Sequence, residues 1–106
     1  TDFYMLGWGV PTLDSHYVFA YLLDAAGSWN AAGYDNARVN ELTTAMATEI
    51  DLDKRTAMIN EAWTLVQADM PYVPIHHQVL AWGLASSVDI PIAADDAFRP
   101  RYAVMQ

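Results

Sequence analysis

The stretch from Asp51 to Pro71 constrains this chain more than any other. Asp51 can cap a helix, and Arg55, Met58, Ile59, Ala62, Leu65, Val66 and Met70 then fall on one face before Pro71 ends it. That face is apolar except for the arginine at its start. Burial of each large apolar side chain is worth about 1.5–3 kcal/mol, a large share of a domain's whole margin of stability, so the stripe demands a partner surface.

Two further helices can supply it. Asp14 or Ser15 caps a segment in which Val18, Tyr21, Leu22 and Ala25 share a face, with Gly27 as its stop. The turn-rich run SWNAAGYDN leads to a cap at Asp35 or Asn36, after which Val39, Leu42, Met46 and Ile50 recur at helical spacing. Around the helices lie expected strands. Asp2–Leu6 is short and aromatic and stops at Gly7-Trp8-Gly9. The run from Tyr72 to Leu84 has no helical period and reads as a bent strand, since Pro74 interrupts it. Residues 86–96 read as a loop, and Arg101 to Met105 as a last strand. The fold class this predicts is mixed α+β, with short strands and about three helices.

The 106 residues suffice for one domain, and no apolar run is long enough to span a bilayer. Thirteen acidic against five basic residues give a net charge of −8, which would repel a nucleic-acid backbone. The absence of cysteine excludes a thiol nucleophile and a disulfide framework.

No pattern of catalytic residues stands out. His76-His77 could ligate a metal or titrate near neutrality, but neighbours on a strand point to opposite faces and no helical His spacing assists them. The acid pairs Asp51/Asp53 and Asp95/Asp96 lie where caps and polar loops place acids anyway. No nucleophile elbow, phosphate loop or zinc signature is present. The expectation is a protein that is not an enzyme and has no catalytic residue, metal or cofactor. Trp8 differs from the other three tryptophans because glycine on both sides frees the backbone and leaves one large flat ring for contact. It either packs under the next helix or covers a ligand.

Four motifs in order extend this reading: the GWG segment, then GSWNAAGYDNARVNEL, then D-x-D-K-R-x-x-x-I-x-E-A, then DMPYVPIHHQVLAWGL. In order and spacing they resemble the C-terminal region of the extracellular solute-binding proteins of the peptide/nickel ABC-transporter class (family 5), over nearly the whole chain. The resemblance implies a carboxy-terminal fragment of a two-lobed, type II periplasmic binding protein fold. Residues 1 to about 75 would belong to one lobe, 76–78 would form the hinge crossing, and 79–106 would return to the other.

On this resemblance Trp8 matches a cleft tryptophan, Gly7 and Gly9 lie where backbone meets ligand, and His76, His77 and Gln78 face the cleft at the hinge. The implied partners are a peptide-like or other small ligand and ABC permease subunits, with no nucleic acid; the implied location is periplasmic or extracytoplasmic. The fragment would be prone to self-association through surfaces left by missing lobes. Many peptide binders of the family carry an aspartate three positions after the tryptophan, to pair with the ligand's ammonium; here that position is Pro11. A free-ammonium peptide would lack its usual anchor, since a desolvated charge without a partner costs several kcal/mol. The alternative is a small, self-contained acidic protein-interaction domain with no catalytic activity.

Overall fold

The computed structural model describes residues 4–93 and 97–105. They form a mixed helical and β structure with three α-helices and a two-stranded sheet. The chain divides into two compact units between Pro74 and Ile75.

In the first unit, α1 (Ser15–Val18) opens on Asp14, whose carboxylate accepts the His16 amide at 2.8 Å. It passes directly into a π-helical turn, Phe19–Leu23. The Asp24 amide donates to the Phe19 carbonyl, a five-residue closure that widens the helix by one residue. This corrects the expected helical face. Phe19 and Leu23 are buried with Leu22, whereas Tyr21 and Ala25 are exposed. The helix also ends earlier than Gly27, because Asp24 turns extended and its carboxylate caps the Ala26 amide.

Helix α2 (Ala37–Met46) starts at Asn36, whose side chain accepts from the Arg38 and Val39 amides. Val39, Leu42 and Met46 are buried as their spacing predicts, and Thr43 is buried beside them with its hydroxyl donated to the Val39 carbonyl. Ile50 does not continue the stripe: it lies beyond the helix and is 93% exposed.

Helix α3 (Leu52–Asp69) is capped by Asp51, which accepts from the Asp53 and Lys54 amides. It packs on α2 through Ala62 and Val66, with Met58, Ile59, Trp63 and Leu65 at the margin. The Phe19 and Trp63 rings meet at 4.7 Å, closing the core between the π-turn and α3. Met70 leaves the stripe as a left-handed cap with φ 47°, its amide on the Val66 carbonyl, so its side chain turns out to solvent. Pro71 cannot continue the helix beyond it.

The expected strand at Asp2–Leu6 is not formed over its described residues. Tyr4–Val10 has no regular structure, for no strand among the described residues completes its ladder; Asp2 and Phe3 lie outside the described residues.

In the second unit, β1 (Val88–Asp89) pairs antiparallel with β2 (Val104–Met105), Val88 opposite Met105 and Asp89 opposite Val104. β1 thus falls where a loop was expected, and β2 is shorter than expected because Pro100–Tyr102 forms a 3₁₀ turn. Pro100 at the start of that turn fixes φ and removes a ladder donor. Trp82 stacks on Phe98 at 5.8 Å, and Ile90 is buried. Residues 73–84 have no regular structure, so the expected bent strand is absent: Pro74 and the lack of a pairing strand among the described residues leave the run unladdered.

Candidate functional site

Gly7-Trp8-Gly9 runs as exposed backbone around a half-buried indole. A Cβ added at either glycine would meet nothing within 4 Å, so neither is required by packing. The Trp8 ring lies 5.8 Å from Tyr17 and meets Trp29 edge-on at 5.9 Å, and Tyr17 in turn lies 4.6 Å from Tyr21. Four rings therefore run in series from a turn, through the irregular segment, to the first helix. Trp8 also borders the hydrophobic core, and its indole N–H is buried with no acceptor. An unpaired donor of this kind is rare and costs about 1–3 kcal/mol.

The segment after Trp8 is held by charge. Arg55 reaches from α3 to donate from Nη2 to Asp14 Oδ1 at 2.9 Å and from Nε to the Met46 carbonyl at 3.0 Å. The guanidinium beside Asp14, together with the His16 amide, holds its carboxyl below the usual aspartate range. The arginine that interrupts the apolar stripe therefore ties three elements together. Its place on that face was the signal in the sequence, since a cation among apolar neighbours needs an acceptor. The identity of the acceptor was not readable, because Asp14 is fully accounted for as a cap.

Two neighbouring turns are fixed equally firmly. Asn30 donates to the Asp24 and Tyr34 carbonyls and accepts the Tyr34 amide, which holds the Trp29 turn in place. Gly27 approaches the end of the π-turn so closely that a Cβ would lie 2.7 Å from the Tyr21 carbonyl oxygen. Trp29, without glycine neighbours, was not singled out by sequence reasoning; only these turns bring it to Trp8.

His76, His77 and Gln78 are exposed on the irregular part of the second unit. The strand alternation that would separate the two imidazoles is absent there. Among the described residues no three His, Asp or Glu side chains come together as a metal-binding group. The Asp51 carboxylate caps the start of α3 and Asp53 lies in its first turn, while Asp95 and Asp96 lie outside the described residues. Among the described helices none is long and apolar enough to cross a membrane.

Comparison of the chain with protein-family models, with curated proteins and with solved structures finds no match.

Proposed function

We propose that the chain is the carboxy-terminal part of an extracytoplasmic solute-binding protein that delivers a peptide-like or other small solute to an ABC permease. The observation that carries this reading is the order of the four sequence motifs, from the glycine-framed Trp8 to the Asp69–Leu84 run. Two features support it. The division of the chain between Pro74 and Ile75 lies beside the crossing that a two-lobed receptor needs. The second unit exposes Ile75, Val79, Phe98 and Met105 at 60–87%, as a lobe without its remaining strands would.

Trp8, with Gly7 and Gly9, would contact the solute from one lobe, and His76, His77 and Gln78 would lie at the hinge. Capture needs no covalent step: the solute shifts an open–closed equilibrium by binding the closed form more tightly. The test is a thermal-shift and native-mass screen of the longer receptor that this reading requires, against peptides, sugars and metal complexes. A captured solute whose affinity falls on Trp8→Ala supports the assignment, and unchanged affinity removes Trp8 from the cleft.

The second reading, a self-contained acidic interaction domain, is favoured by the closed core of Phe19, Val39, Leu42, Met46 and Ala62 in the first unit. It requires the chain to be a compact monomer by light scattering.

A further inference from the structure

An open cleft of about 420 Å³ lies on the first unit, lined by Thr12, Asp14, His16, Tyr17, Tyr21 and Arg55. Its size is within the range of small-molecule sites. Trp8 is not among its lining residues; it backs the cleft only through Tyr17. The cleft wall is the Tyr17–Tyr21 pair, whose rings are 4.6 Å apart and tilted by 42°. Tyr21 faces outward because the π-turn rotates it off the core, where Phe19, Leu22 and Leu23 take the buried positions.

The polar side of the cleft is an ion pair with capacity to spare. Asp14 accepts both the Arg55 guanidinium and the His16 amide on Oδ1, and Arg55 donates from Nε and Nη2. Oδ2 of Asp14 and Nη1 of Arg55 take no part in these bonds. The carboxylate and the guanidinium thus each keep one further acceptor or donor on the cleft-lining pair, and the Thr12 hydroxyl, which accepts the Asp14 amide at 3.3 Å, keeps a proton to donate.

The charges in the cleft compensate each other, so a charged ligand would have to compete with an existing ion pair at 2.9 Å. An anion would in addition meet a chain of net charge −8. A neutral vicinal diol does neither. One hydroxyl can donate to Oδ2 and another accept from Nη1, while the apolar face of the ring that carries them covers the tyrosines. We infer that this cleft binds a small, neutral, polyhydroxylated ring such as a monosaccharide or cyclitol. The inference stands on the cleft alone and does not rest on the transporter reading.

The experiment is saturation-transfer NMR on the full chain with D-glucose and myo-inositol, with cyclohexanol and acetate as controls. Saturable binding of at least one polyol in the millimolar range is expected, with cyclohexanol and acetate each roughly tenfold weaker. Tyr21→Ala should abolish the signal, while Thr12→Val, which also removes the hydroxyl's bond to the Asp14 amide, should weaken it severalfold with an unchanged circular-dichroism spectrum and Thr12→Ser should retain it. Absence of saturable binding for both polyols overturns the inference. So does binding of cyclohexanol or acetate as tight as that of the polyols, or full retention of polyol binding by both variants when they are folded.

Discussion

The Tyr34 hydroxyl donates to Asp69 Oδ2 at 2.7 Å, fastening the turn before α2 to the last residue of α3. The same oxygen accepts from Asn36 at 2.8 Å, so the cap of α2 and the end of α3 share one carboxylate. Burial and the adjacent carboxylate push the Tyr34 phenol up to about 12. In the unfolded chain the phenol ionises near 10. The raised value keeps the native phenol protonated, so its contribution is complete below the unfolded value and is lost as pH rises through the folded one. Urea unfolding midpoints should therefore fall between about pH 10 and 12, and Tyr34→Phe should remove that part of the slope.

The tie between Asp14 and Arg55 gives the opposite dependence. The Asp14 carboxyl is lowered first by the Arg55 hydrogen bond and then by the His16 amide. Its stabilisation is present above the ordinary aspartate value of 3.8 and disappears as pH falls through the lower folded value. Acid unfolding followed by circular dichroism should show this loss below about pH 4. Asp14→Asn should lower stability at neutral pH and flatten the acid limb.

Glycine substitutions should separate architecture from recognition. At Gly27 a Cβ would meet backbone oxygens of Tyr21 and Asp24 at 2.7 and 2.9 Å. Backbone cannot yield as a side-chain tip would, so Gly27→Ala should cost about 1–3 kcal/mol in chemical denaturation. Gly7→Ala and Gly9→Ala should stay within about 0.5 kcal/mol, as nothing lies within 4 Å of either position. A solute that loses affinity on those two silent changes would identify the frame of Trp8 as a binding feature.

The π-turn makes a prediction about register. Phe19 is fully buried against Trp63, while Ile50, which the helical spacing of α2 would bury, is exposed. Phe19→Ala should cost about 3–5 kcal/mol and Ile50→Ala close to nothing. Equal losses at the two positions would contradict the arrangement.

Association should follow the apolar surface of the second unit. Ile75 and Val79 are 72% and 87% exposed, and β1 and β2 leave their outer edges unpaired among the described residues. Size-exclusion chromatography with light scattering should show concentration-dependent oligomers, shifted towards monomer in the double variant Ile75→Lys and Val79→Lys.

The helical half of the fold was legible because its signals are local. Asp14, Asn36 and Asp51 each cap as their side chains allow, and the faces of α2 and α3 follow a period of 3.6 residues. The strands were not legible in the same way. A β-prone run such as Tyr72–Leu84 becomes a strand only if a partner is present, and composition does not report partners. The buried position of Phe19 was hidden for another reason: a single π closure shifts the face by one residue, and no residue type announces it. At the candidate site, the sequence singled out Trp8 through its glycines. Trp29 and Tyr17 were out of reach because they arrive through tertiary turns.

That π closure has one more consequence. Five residues, Phe19–Leu23, occupy a turn that an α-helix closes with one fewer. A chain shortened by one residue here can still close a helical turn, with the Asp14 cap on one side and the Asp24–Gly27 turn on the other unchanged in phase. The first helix thus holds a place where chain length can vary by a residue without re-registering its neighbours, and the residue most affected by such a change is Tyr21, on the cleft wall.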